Sequence, residues 1–143
     1  MSPPARMAAE ELRHRFAAAR IARLATIGPG GAPHLVPVVF ALDGDTVYSA
    51  VDAKPKRTMN LRRLANVRDD PRATLLADHY DEDWSALWWV RADGRGRVIE
   101  PGEPEADRAV ELLAARYPQY VATPPPGPVL AVDVERWSGW AAG

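Results

Sequence analysis

Apolar residues recur along the chain with two different periods, and the changes of period mark out its elements. Over residues 7–20, Ala9, Leu12, Phe16 and Ala19 return at three- and four-residue spacing while Glu10, Glu11, Arg13 and Arg15 fill the other faces, which predicts an amphipathic helix. From Ile21 the period changes: positions 21, 25 and 27 face one way, with Leu24 the exception, as in a strand. Gly28-Pro29-Gly30-Gly31 supplies turn residues that tolerate positive φ, and a second apolar run covers 33–42, so the two runs read as a hairpin. Asp43-Gly44-Asp45 makes another tight turn into a third strand over 46–51.

The chain breaks at 52–56 and resumes as a helix from about Thr58, a candidate N-cap, to Val67, and Asp70-Pro71 stops it. Residues 72–79 and 86–100 read as two more strands, the second either folding at 92–96 or running through. Pro104 opens a second amphipathic helix to Arg116, with Ala106, Ala109, Val110, Leu113 and Tyr117 on one face. A stiff connector, Pro124-Pro125-Pro126-Gly127-Pro128, leads to a last strand over 129–134 and an irregular tail, Arg136-Trp137-Ser138-Gly139-Trp140. No internal repeat and no linker interrupts residues 1–143, which predicts one mainly β domain of the α+β class. Short turns between strands favour antiparallel pairing, hence a closed or partly closed barrel with helices at its ends.

Composition narrows the chemistry. The formal charge of −1 gives no whole-protein field for nucleic acid or an anionic membrane. With no cysteine, disulfides, zinc thiolates, iron–sulfur clusters and a cysteine nucleophile are excluded together. The N-terminus leads into a charged stretch instead of an apolar signal core, so the expected location is the cytoplasm. Sixteen of the eighteen basic residues are arginine, and the only lysines are Lys54 and Lys56. Lys54-Pro55-Lys56-Arg57-Thr58 therefore gathers three cations, a hydroxyl and free backbone N–H groups between a strand and a helix start, a place where an anion is favoured. A solvated basic turn has the same composition.

Pro37 interrupts the apolar run around it. Because proline cannot donate to a ladder, its strand should lie at an edge or a bulge, or should have a flat ring system alongside. The five tryptophans fall in two groups. Trp88 and Trp89 should face opposite ways from one strand, and Trp137 and Trp140 either cap the barrel or pack on a second subunit or ligand. The acidic run from Asp78 to Asp83 has no ligand spacing of a calcium loop and reads as solvated. His14 and His34 have no evident triad partner, no Gly-x-Ser-x-Gly elbow exists, and Gly28–Gly31 lacks the ending of a phosphate loop. A chain without a nucleophile–base pair suits a role in which a bound cofactor performs the chemistry.

The segments Ala22–Ile27, Gly31–Val38, Lys54–Arg57, Asn60–Arg63 and Asp70–Ala73, in that order, resemble the pyridoxamine 5′-phosphate oxidase-like superfamily, and within it most the reductases that use the deazaflavin coenzyme F420. The resemblance covers nearly the whole chain. It implies a split β-barrel, FMN-binding-like, of Greek-key antiparallel type, and a homodimer with two cofactor sites at the subunit interface. It places the ring on Pro37, Val38 and Val39 with Ser49, Ala50 and Val51 beside it. The phosphate would lie on Lys54, Lys56, Arg57 and Thr58, and Trp137 and Trp140 of the other chain would close the pocket.

The implied activity is hydride transfer from coenzyme F420 to an unsaturated or conjugated small molecule. The alternatives are an FMN-dependent oxidoreductase of the same fold, a cofactor carrier without turnover, and a haem- or tetrapyrrole-binding module. Two departures stand out. Leu64–Arg68 lengthens the stretch between Asn-Leu and Asp-Pro, and the chain lacks the Arg-Leu-x-Pro tail that holds pyridoxal in the true oxidases, which argues against vitamin B6 oxidation.

Overall fold

The computed structural model describes residues 7–50 and 57–142, with side chains described outside 57–61. Helix α1 (Ala9–Ala18) is followed by strands β1 (Ala22–Ile27), β2 (Pro33–Val38), β3 (Ala41–Asp43) and β4 (Thr46–Ala50). Helix α2 (Arg57–Asp69), β5 (Arg72–His79), β6 (Trp88–Ile99), α3 (Pro104–Arg116), the short α4 (Gln119–Ala122) and β7 (Val129–Ala141) complete the order. The turn glycines behave as their chemistry demands: Gly30, Gly31 and Gly44 all adopt positive φ.

All described strands join one antiparallel sheet in the order β2-β1-β5-β6-β7-β4-β3. The two edge strands, β2 and β3, are consecutive in the chain and joined by only Val39 and Phe40. Seven strands laid flat would put those edges about 29 Å apart. Three Cα–Cα steps reach only about 11 Å. The sheet must therefore curl until its edges almost meet, which makes it a split β-barrel with Phe40 at the seam.

The expected single run over 33–42 is thus two strands broken at that seam. Phe40 is fully buried against Phe16 of α1, ring centroids 4.7 Å apart. Such a large buried ring contributes roughly 1.5–3 kcal/mol of apolar burial.

Strand β6 does not fold back on itself; it runs through and bends at a bulge. Asp93 pairs with Arg136 and Gly94 with Val134, leaving Glu135 as the extra residue. A Cβ at Gly94 would strike the backbone oxygen of Asp133, so the two strands can approach this closely only at a glycine.

The tail expected after residue 134 is also strand. β7 extends to Ala141 and pairs with β6 throughout, because backbone pairing to an already ordered partner overrides the weak strand propensity of Ser138-Gly139.

The inner face of the barrel holds Leu24, Val36, Val38, Val47, Leu75, Val90, Leu130 and Val132. Leu12 and Phe16 of α1 and Leu64 and Val67 of α2 close on the same cluster. Helix α3 instead packs Ala106 and Ala109 against Tyr48, Val129 and Ala131, and Leu113 against Ala41 and Ala50. It covers the outer face of the β3–β4–β7 half. On the other half, alternation puts Pro33, Leu35 and Pro37 of β2 outward beside Ile27, Ala25 and Arg23 of β1. Leu35 there is 66% exposed. Among the described residues no helix is long and apolar enough to cross a membrane.

Candidate functional site

Pro37 stands exposed on the edge strand β2, opposite Arg23 of β1, which is the edge position its missing N–H requires. Val38 turns inward and is part of the main core. Val39 is half-buried and packs against the cluster that contains Ala41 and Ala50. Val39 and Ala50, from two stretches singled out separately in the sequence, thus belong to one packed cluster at the seam.

Ser49 and Ala50 are both buried, at 5% and 4% exposure, and neither offers its side chain to solvent. Val51, Lys54 and Lys56 lie outside the described residues. Helix α2 starts at Arg57, which puts Thr58 in its first turn instead of at its cap. The basic segment is thus tethered at one end to Ala50 beside the seam and at the other to the start of α2.

The two C-terminal tryptophans part company. Trp137 faces inward: its ring meets Phe16 edge-on at 5.3 Å, and its indole N–H donates to Asp45 at 2.9 Å. Asp45 also accepts from Arg13 at 2.6 Å, and that bond, followed by the one from Trp137, holds its carboxyl below the usual range. Trp140 alternates to the outer face, where it pairs across the ladder with Trp89. Trp88 points the other way and packs against the core, as two successive strand residues must.

The seam is closed by side chains that the sequence did not single out as functional. Arg116 donates to the Phe40 carbonyl at 2.8 Å and to the Ala19 carbonyl at 2.7 Å. The Tyr117 hydroxyl accepts from Phe40 N–H at 3.1 Å and lies 2.9 Å from the Phe40 oxygen and 3.0 Å from that of Arg20. Backbone groups with no neighbouring strand are thereby satisfied. Tyr117, expected on the apolar face of α3, stands instead at the C-cap, outside the helix, where its hydroxyl reaches the seam.

Beside Pro37 a cleft of about 440 Å³ opens between the α1–β1 turn and the ends of β5 and β6. Arg23 and Asp78 form an ion pair at 2.8 Å along its wall, and His79 lies 3.6 Å from Asp81. Tyr80 and Ile21 flank it, 76% and 41% exposed. No pattern in the sequence joins these residues, because the turn and the two strand ends meet only through the pairing of β1 with β5 and β5 with β6.

His34 lies at the opposite end of β2, paired with Thr26. Its Nδ1 is buried without a hydrogen-bond partner. Burial first, then Arg62 and Arg63, push its pKa down and keep the ring neutral. Thr26 itself is engaged by Asn66, whose amide donates to it at 3.0 Å.

A curled antiparallel sheet of this order, plugged by helices and split at a seam, defines the α+β split-barrel class. The chain belongs to the pyridoxamine 5′-phosphate oxidase family, whose model matches residues 8–141. No curated protein matches.

Among solved structures it is similar to a conserved hypothetical protein of Mycobacterium tuberculosis. That match has 24% identity and a TM-score of 0.77, and covers 99% of this chain and 88% of the other. A FAD-binding protein of Mesorhizobium loti matches with 22% identity and a TM-score of 0.72, over 97% and 98% of the two chains. The heme storage protein of Vibrio cholerae has 11% identity and a TM-score of 0.72, over 94% of each chain.

Proposed function

We propose that this chain is a homodimeric oxidoreductase that holds a flavin-type cofactor, coenzyme F420 with FMN as the alternative, and reduces an unsaturated or conjugated small molecule. The observation that carries this reading is the packing of Val39 at the seam against the cluster of Ala41, Ala50, Leu113 and Tyr120. It sets the exposed edge at Pro37 next to the point from which the Lys54–Arg57 segment departs. Such a neighbourhood fits a flat ring with a phosphorylated tail. Pro37 and Val39 offer an apolar floor in which Pro37 has no N–H to be left unpaired, and the cationic segment offers charge-assisted bonds to phosphate.

The cofactor would supply the hydride chemistry; the chain binds, orients and excludes water. Trp140, outward on β7, is the residue that reaches a second copy, whereas Trp137 fixes β7 to Asp45 and Phe16 within its own chain. The outer face bearing Pro33, Leu35, Pro37, Trp89 and Trp140 is the surface on which that copy would pack. The likeness to a FAD-binding protein supports a flavin-type ligand, and the heme storage protein keeps a haem-binding role as the rival.

Titration of protein made in a host without the deazaflavin separates these readings. Tryptophan fluorescence should be quenched more tightly by coenzyme F420 than by FMN, in a particle of twice the chain mass. Stoichiometric flavin retained through purification transfers the assignment to FMN. A Soret band on adding haemin, with no response to either flavin, overturns the proposal.

A further inference from the structure

The cleft beside Pro37 has a chemistry of its own. Its volume of about 440 Å³ falls in the range of small-molecule sites, which runs from about 300 to 1,000 Å³. Two aromatic rings stand in its wall. Tyr80 is largely exposed, and Trp88 is held in place by the core and by the Arg15 guanidinium 5.7 Å from its ring centre. Ile21, partly exposed, adds apolar surface at the mouth.

The charges are unequal. Asp78 is neutralised by Arg23 at 2.8 Å. Arg20 also lines the cleft and has no carboxylate partner among the described residues; only its backbone oxygen is engaged, by Tyr117. The site thus combines flat aromatic walls with one uncommitted guanidinium, whose planar fork suits a carboxylate.

We infer that this cleft is a ligand site for a planar conjugated carboxylate, its π-system against Tyr80 and Trp88 and its carboxylate on Arg20. Arg23 is both a wall of the cleft and the cross-strand partner of Pro37, so the ligand would lie next to the proposed cofactor floor. Its role as hydride acceptor rests on the function proposed above. Binding itself does not, and the test is made without cofactor.

The probe is trans-cinnamate, with cinnamyl alcohol as its uncharged counterpart, titrated calorimetrically into the full chain and into two variants. Wild type should bind cinnamate saturably and at least tenfold more tightly than the alcohol. Arg20→Gln should erase that preference while leaving alcohol binding in place, and Tyr80→Ala should weaken both ligands several-fold. Both side chains are exposed, so the variants should fold, which circular dichroism checks. Absence of saturable cinnamate binding, or binding indifferent to both substitutions, overturns the inference. Failure of coenzyme F420 and FMN to bind would remove the proposed oxidoreductase and leave the cleft result standing.

Discussion

The Tyr117 hydroxyl sits on the backbone of Phe40, 3.1 Å from its N–H and 2.9 Å from its carbonyl oxygen, across a gap of seventy-seven residues in sequence. Phe40 is the one fully buried residue in the two-residue seam, and its backbone has no strand beside it. The hydroxyl and the Arg116 guanidinium together do there what a ladder does elsewhere. The connection also bears on the proposed cofactor floor, since the same backbone continues from Pro37–Val39.

Removing the hydroxyl isolates one half of that arrangement. In Tyr117→Phe the Phe40 carbonyl keeps its bond from Arg116, but the buried N–H loses its acceptor. A buried donor left unpaired costs about 1–3 kcal/mol. The urea midpoint should fall accordingly, and the Phe40 amide should exchange with deuterium much faster while amides of β6 and β7 stay protected. Unchanged exchange at Phe40 would show that the tyrosine merely fills space.

How much of this was legible beforehand depends on whether a signal was local. β5 over 72–79 and α3 from Pro104 to Arg116 were read with their observed ends, because proline and the apolar period mark both within a few residues. Pro37 at an edge was legible for the same reason. The break at Val39-Phe40 was not, since nothing in an unbroken apolar run says that the sheet must close there. β7 was stopped at Val134 because Ser138-Gly139 looks like a turn, yet β6 offers it a partner out to Trp88↔Ala141. The cleft was invisible for a related reason: Arg20, Ile21, Tyr80 and Trp88 are local to nothing but the finished sheet.

Acid should weaken the fold through a specific set of carboxylates. Arg97 first, then the Tyr48 hydroxyl, holds Glu105 down to about 2, and Arg97 likewise lowers Asp133. Asp45 is lowered by Arg13 and Trp137, and Asp70 to about 2 by Arg72. A depressed carboxyl contributes stability that is complete above its unfolded pKa and lost as pH falls through its folded one. Stability should therefore decline from the ordinary carboxylate range down to about pH 2. Glu105→Gln should be less stable at neutral pH and have a shallower acid slope, so urea midpoints of variant and wild type converge as pH falls.

Tyr48 works in the opposite direction: burial, then its bond to Glu105, raises the phenol to about 12. Its contribution is complete below the ordinary phenol value and lost as pH rises through about 12. Tyr48→Phe should remove a phenolate step near pH 12 from the alkaline absorbance titration, and parallel curves in either experiment would refute the network.

The cationic segment makes the sharpest demand on the proposed function. Lys54 and Lys56 are the only lysines, and in sequence they come shortly after Ala50, the last residue of β4. Charge-assisted bonds contribute roughly 1.5–3 kcal/mol each. Lys54→Ala with Lys56→Ala should then weaken FMN at least about tenfold while leaving riboflavin, which has no phosphate, nearly unaffected. Arg68→Ala serves as the control: its exposed ion pair with Glu100 lies in the last turn of α2, at the other end of the helix from Arg57, and its loss should change neither affinity. A double variant whose FMN dissociation constant stays within about twofold would show these lysines to be a solvated turn, and the phosphate would then have to be held by other residues.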